Sequence, residues 1–122
     1  MAKSREEAKI QSQCYKWFTN NYCLKTHHRR GIMFSVPNEL AGRNKISTIL
    51  AKSTGLTSGV ADTIVILPNS KILFVEFKTK KGRQSESQKE FEMRITNLNL
   101  DYFIIRSFEE FKNLISNYIY SK

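Results

Sequence analysis

The sequence predicts an α/β fold, a mixed sheet flanked by helices, and three observations carry that prediction. Two apolar runs, residues 62–67 and 71–78, are separated only by Pro68-Asn69-Ser70, which is turn chemistry, so the pair reads as a β-hairpin. Apolar residues recur at helical spacing before the hairpin and again after it. Two further short apolar runs read as strands, one on each side. The resulting order is α-β-(α)-β-β-α-β-α, a strand-rich centre whose sheet needs helices on both faces.

Each element has a local reason. Ser4 caps a helix reaching to about residue 20, in which Ala8, Ile10, Cys14, Trp17 and Phe18 form the apolar stripe. Glu7, Gln11, Cys14 and Phe18 share one face of it. Ile32-Met33-Phe34-Ser35-Val36 is a strand stopped by Pro37. Ile46, Ile49 and Leu50 suggest a short helix before the Ser/Thr/Gly-rich loop 53–59. Ser85 to Asn97 is a helix with Phe91, Ile95 and Leu98 inward. Tyr102-Phe103-Ile104-Ile105 is a strand, and Phe108 to Tyr120 a closing helix.

At 122 residues the chain reads as one domain, residues 1–122. A net charge of +9 calls for an acidic partner, and nucleic acid is the natural one. No stretch approaches the roughly 20 apolar residues of a spanning helix, and the N-terminus has no signal-like apolar core. A membrane partner is therefore not expected, and the cytoplasm (a host cell's, if the chain is phage-encoded) is the expected location. The excess charge lies in residues 1–61, where Arg29, Arg30, Arg43 and Lys45 stand out. A second cluster, Lys78-Thr79-Lys80-Lys81-Gly82-Arg83, follows the hairpin. Its lysines either keep a loop soluble or hold phosphates. Neither cluster carries a base-reading pattern, so backbone and shape recognition is expected. Cys14 and Cys23 lack zinc-ligand spacing, and Cys14 falls on the apolar helix face.

The chemistry concentrates at the open end of the hairpin. A three-residue loop sets Leu67 opposite Lys71, and counting outward brings Asp62 opposite Glu76. Side chains alternate, so Glu76 and Lys78 share a face while Phe77 points away. Charges on strands commonly sit on a solvated face. Here the runs Ile64-Val65-Ile66-Leu67 and Ile72-Leu73-Phe74-Val75 are apolar without a break, which predicts central strands buried on both faces. Charges at the end of such strands favour function. Two carboxylates with a strand carbonyl between them make the all-oxygen set that Mg²⁺ prefers, and a neighbouring lysine can position a water or stabilise charge on a phosphate.

The run Gly59-Val60-Ala61-Asp62, the triplet Glu76-Phe77-Lys78, then Gly82 through Gln88 and Phe91 resemble the VRR-NUC domain of the PD-(D/E)XK nucleases. Glu7-Ala8-Lys9-Ile10-Gln11 and Val36-Pro37-Asn38-Glu39 extend the similarity upstream. The resemblance implies a restriction-endonuclease-like core, αβββαβ. It implies Asp62 and Glu76 as metal ligands with the Phe77 carbonyl, Lys78 as the catalytic lysine, Gln88 facing the site, and Glu7 reaching the metal. Lys80, Lys81, Arg83, Arg29, Arg30, Arg43, Lys45 and Asn38 are the expected DNA contacts. The implied cofactor is Mg²⁺, with Mn²⁺ as substitute. Ala61 departs from the family pattern, which places proline before the aspartate. Glu7 and Gln88 each keep a second reading, because Ser4-x-x-Glu7 and Ser85-x-x-Gln88 both have capping-box spacing.

The functions in play are a junction-cutting endonuclease acting as a homodimer, a nuclease on linear or nicked duplex with a helicase or replication partner, and a non-catalytic DNA-binding module. In the first of these, Tyr15, Tyr22, Tyr118 and Tyr120 are candidate interface residues.

Overall fold

The computed structural model describes residues 4–37 and 44–120. Asn38 and Arg43, both expected DNA contacts, lie outside the described residues.

Helix α1 (Arg5–Tyr22) leads into strand β1 (Ile32–Ser35) and helix α2 (Lys45–Ser53). The hairpin β2 (Thr63–Ile66) and β3 (Ile72–Phe77) follows, then α3 (Glu86–Asn97), β4 (Asp101–Ile105) and α4 (Phe108–Tyr120). The four strands lie in the order β1-β2-β3-β4; the first two pairings are antiparallel and β3 pairs with β4 in parallel. The sheet is therefore mixed, and α3 is the crossover that a parallel pair requires.

The hairpin register is the one that the three-residue loop predicts. Thr63 faces Val75 and Ile66 faces Ile72. The loop closes through Leu67 N–H to the Lys71 carbonyl (2.8 Å) and Ser70 N–H to the Leu67 carbonyl (2.9 Å), with Ser70 at a left-handed φ of 73°. Asn69 donates from its side chain to the Tyr118 carbonyl (3.2 Å), which ties the hairpin tip to α4.

Alternation divides the sheet into two faces. Val65, Leu67, Leu73, Val75, Phe77 and Ile105 point toward α1 and α4, where they meet Cys14, Phe18, Phe111 and Ile115 in the main core. Burying each of these larger side chains contributes about 1.5–3 kcal/mol. The other face carries Phe74, Tyr102 and Ile104, which pack with Ala61 and with Phe91 and Ile95 of α3.

Two expectations need correction here. β2 and β3 are central strands, but the α3 face is only partly covered: α3 lies over β4, so Ile64 and Ile66 are half-buried and Ile72 is exposed. Leu98 points outward, at 69% exposure, because it is the residue that ends α3. α2 forms where its apolar spacing places it, yet no other helix or described strand packs on it. Ile46, Ile49 and Leu50 are exposed. Among the described residues, no helix is long and apolar enough to cross a membrane.

Candidate active site

The hairpin's open end, the first turn of α3 and the chain leaving β3 meet at one edge of the α3 face. Continuing the observed register by one residue sets Asp62 opposite Glu76. Asp62 turns its carboxylate onto the neighbouring strand, where Oδ2 accepts from the Phe77 N–H at 2.8 Å. Glu76 is buried, at 2% exposure, in a strand whose neighbours are apolar. The Lys78 Nζ lies 3.8 Å from Glu76 Oε2 and is itself largely buried. An amine and two carboxylates thus converge where water is scarce, so each interaction is stronger than it would be on a solvated edge.

Gln88 makes two sets of contacts at once. Its Oε1 accepts from the Ser85 N–H (2.8 Å) and its backbone N–H donates to Ser85 Oγ (3.2 Å), completing a capping box. The Nε2 of the same side chain donates to Glu76 Oε2 at 2.8 Å. One amide therefore fixes the start of α3 and the orientation of the glutamate together. Gly59 makes that placement possible. Its φ is 77°, and a Cβ there would stand 2.2 Å from the Ser87 carbonyl oxygen, so only glycine lets the chain entering β2 pass this close to α3.

Glu7 sits in a different setting. Its Oε1 accepts from the Ser4 N–H (3.3 Å) while its own N–H donates to Ser4 Oγ (3.1 Å), so the structure places it in the capping box of α1. Among the described residues no group of three or more His, Cys, Asp and Glu side chains is gathered to hold a metal. Gln11, one turn on, donates to Thr63 Oγ1 (3.1 Å), beside Asp62 in sequence but on the opposite face of the sheet.

The expected DNA contacts fall into two groups. Lys80, Lys81 and Arg83 are exposed on the loop that leaves β3 next to the carboxylates. Arg29 and Arg30 lie in the loop before β1, and Ile32 pairs with Ile66, so this loop is at the hairpin-tip end. Four strand residues, about 13 Å, separate it from the Asp62 end. Arg30 also donates from Nε to the Cys23 carbonyl (2.9 Å) and shapes its own loop. Lys45 is the exposed first residue of α2. Of the tyrosines considered for an interface, Tyr118 bonds Asp101 (2.7 Å) and packs on Phe103, and Tyr22 packs on Trp17 and Phe18. Only Tyr15 and Tyr120 stand largely exposed.

The sequence reading gave no site role to four residues near the site, Tyr102, Gln84, Glu92 and Arg106. Tyr102 on β4 accepts from Gln84 Nε2 (3.3 Å), and the same amide donates to Glu92 Oε1 (3.0 Å). Burial pushes the Tyr102 hydroxyl well above its ordinary pKa, and the charge of Glu76 pushes it the same way, followed by Glu92 and Asp62; the Gln84 hydrogen bond opposes them. It remains a neutral phenol beside the acids. Arg106, one residue past β4, bonds carbonyls of the basic loop. Its signal is the parallel pairing of Phe77 with Ile105, which puts Arg106 level with Lys78 and cannot be counted from a hairpin.

The profile of the VRR-NUC domain matches residues 3–109. A solved structure titled "VRR_NUC domain" superposes with a TM-score of 0.64 at 22% identity, covering 94% of this chain and 99% of that one. Another, "VRR_NUC domain protein", gives a TM-score of 0.72 at 17% identity over 97% of this chain and 91% of that one. At those identities the likeness establishes the fold. No match was found among curated proteins. The matched residues span the carboxylate pair, the lysine and Gln88, and on that footing the protein belongs to the VRR-NUC family, a nuclease-type domain.

Proposed function

We propose that the protein is a divalent-metal-dependent DNA endonuclease that cuts branched DNA such as a four-way (Holliday) junction, working as a homodimer. The observation that supports this most directly is the convergence of Asp62, Glu76 and Lys78 at one sheet end, with Gln88 holding Glu76. The donors fit a hard cation: two carboxylates and the Phe77 carbonyl are oxygen ligands, and no thiolate or imidazole is among them. Mg²⁺ is the expected ion and Mn²⁺ its substitute. When bound, such an ion supplies acidity to a coordinated water and screens the phosphate charge.

The chain's own residues then have separable roles. Asp62 and Glu76 hold the ion. Gln88 keeps Glu76 from rotating away, through the 2.8 Å bond to Oε2. Lys78 positions or deprotonates the attacking water, or stabilises charge on the phosphate, from its place beside Glu76. The exposed Lys80, Lys81 and Arg83 hold the backbone on either side of the scissile bond. A junction has two equivalent strands to cut, and a two-fold dimer matches that symmetry.

The test is cleavage of a labelled four-way junction, a nicked duplex and a linear duplex in Mg²⁺, with Asp62→Asn as control. Symmetric, metal-dependent cuts in the junction, lost by at least about a thousandfold in the variant while binding is kept, are expected. Cutting of linear duplex at equal rate would replace the junction with duplex as substrate. If wild type and Asp62→Asn bind alike and neither cuts in any metal, the chain is a binding module or needs a partner such as a helicase.

A further inference from the structure

We infer that Arg106 is a positioning residue: it locks loop 79–84 into one shape, so that Lys80, Lys81 and Arg83 meet DNA phosphates as a preformed set. This inference rests on the reading of the protein as DNA-binding.

The geometry pins the loop at both ends. Where it leaves β3, the Lys78 N–H donates to the Ile105 carbonyl (3.0 Å), which brings Arg106 alongside. Arg106 Nη1 then donates to the carbonyls of Thr79 (2.6 Å) and Gly82 (2.7 Å), with Lys80 at 3.4 Å. These carbonyls flank a turn closed by Gly82 N–H to the Thr79 carbonyl (3.1 Å). The backbone of Arg106 is fixed in turn, because its N–H donates to Glu110 Oε1 (2.7 Å) on the first turn of α4. At the exit, Gln84 is held by Glu92 and Tyr102.

A loop whose lysines only keep it soluble needs no such anchoring. Here a guanidinium is directed at backbone carbonyls rather than at a carboxylate. The side chains of Lys80, Lys81 and Arg83 are exposed, and none forms a salt bridge with a described residue. Three cations close together repel one another, and a free loop would splay them. Holding the backbone in advance removes the ordering cost that a mobile loop would meet on binding. Arginine suits the role because its head reaches one bond further than lysine's and is planar.

The experiment is a mutant cycle read by binding of a labelled four-way junction across a salt series, with chelator present so that nothing is cut. Lys80→Ala with Lys81→Ala should weaken binding and make the dependence of log affinity on log salt shallower by about 1.8, two phosphate contacts' worth. Arg106→Ala should weaken binding about five- to tenfold and flatten the slope by about one. Added to a variant that carries Lys80→Ala, Lys81→Ala and Arg83→Ala, it should change affinity by less than about twofold, because its effect runs through those three residues. Arg106→Lys should behave like Arg106→Ala. Multiplying effects in the combined variant, or wild-type binding by Arg106→Lys, would overturn the inference and leave DNA binding standing. Should Arg106→Ala fail to fold, Gln84→Ala releases the loop's other end and must show the same non-additivity. A wild-type protein that binds no junction at low salt would overturn the DNA reading and this inference together.

Discussion

The two faces of the sheet are made from alternate residues of the same strands, yet they differ in almost every physical respect. Beneath α1 and α4, the side chains of Val65, Leu73, Val75 and Phe77 are fully buried and meet Phe18, Phe111 and Ile115 in a continuous apolar layer. That face carries no charged residue in its core. Beneath α3, the cover is partial, and the same strand that buries Phe77 on one side presents Glu76 and Lys78 on the other. The first face gives the strands their position, and the second uses that position to bring two acids and an amine to one end of the hairpin. The packed core and the candidate site are thus separated by the two-residue repeat of a strand.

This comparison can be broken by experiment, and the largest effect should come from the chemical face. Lys78→Ala is expected to lower cleavage by a thousandfold or more, with little change in metal affinity. Single-turnover cleavage with Mg²⁺ titration reads both quantities, and retained turnover would remove lysine from the mechanism.

Phe111→Ala probes the packed face. Loss of a fully buried ring should cost about 3–5 kcal/mol in urea unfolding, while the fraction still folded cuts normally. A loss of cutting out of proportion to the unfolded fraction would show that the two faces are not separable.

Gly59→Ala acts where the faces meet. A methyl 2.2 Å from the Ser87 oxygen, at φ 77°, should destabilise by about 1–3 kcal/mol. It should also slow cleavage, because Gln88 rides on the same turn as Ser87. Thermal melts and cleavage rates together test this, and a variant that melts early yet cuts at full rate would detach Gly59 from the site.

The smallest effect is expected at Ile46→Ser on α2. That side chain is 71% exposed on a helix against which no described helix or strand packs, so stability should change by no more than about 0.5 kcal/mol. A larger loss would show that α2 is covered in solution.

Much of the site was legible because it depends on local rules. The hairpin register followed from three turn residues, and alternation then placed Asp62, Glu76 and Lys78 on one face without reference to anything distant. Both capping boxes were readable as spacings of Ser with Glu7 and Gln88, and both form. Spacing could not say what else those side chains would do. Gln88 reaches Glu76 because α3 crosses back over β3, whereas the cap of α1 engages Glu7 through Ser4 alone. The basic residues were legible unequally: Lys80 and Arg83 follow β3 directly and so could be placed by the acids, whereas Arg29 and Arg30, legible only as charge, lie by the hairpin tip.

What the chain determined by itself, then, was its elements, the hairpin register and the carboxylate pair, all set by neighbours within a few residues. Only tertiary structure decided that Arg106 would hold the basic loop, that Tyr102 would sit among the acids, and that no described helix or strand would cover the apolar side of α2. Those outcomes depend on the parallel β3–β4 pairing and on how far α3 spreads across the sheet. Both are contacts between residues far apart in sequence, for which no local spacing leaves a mark.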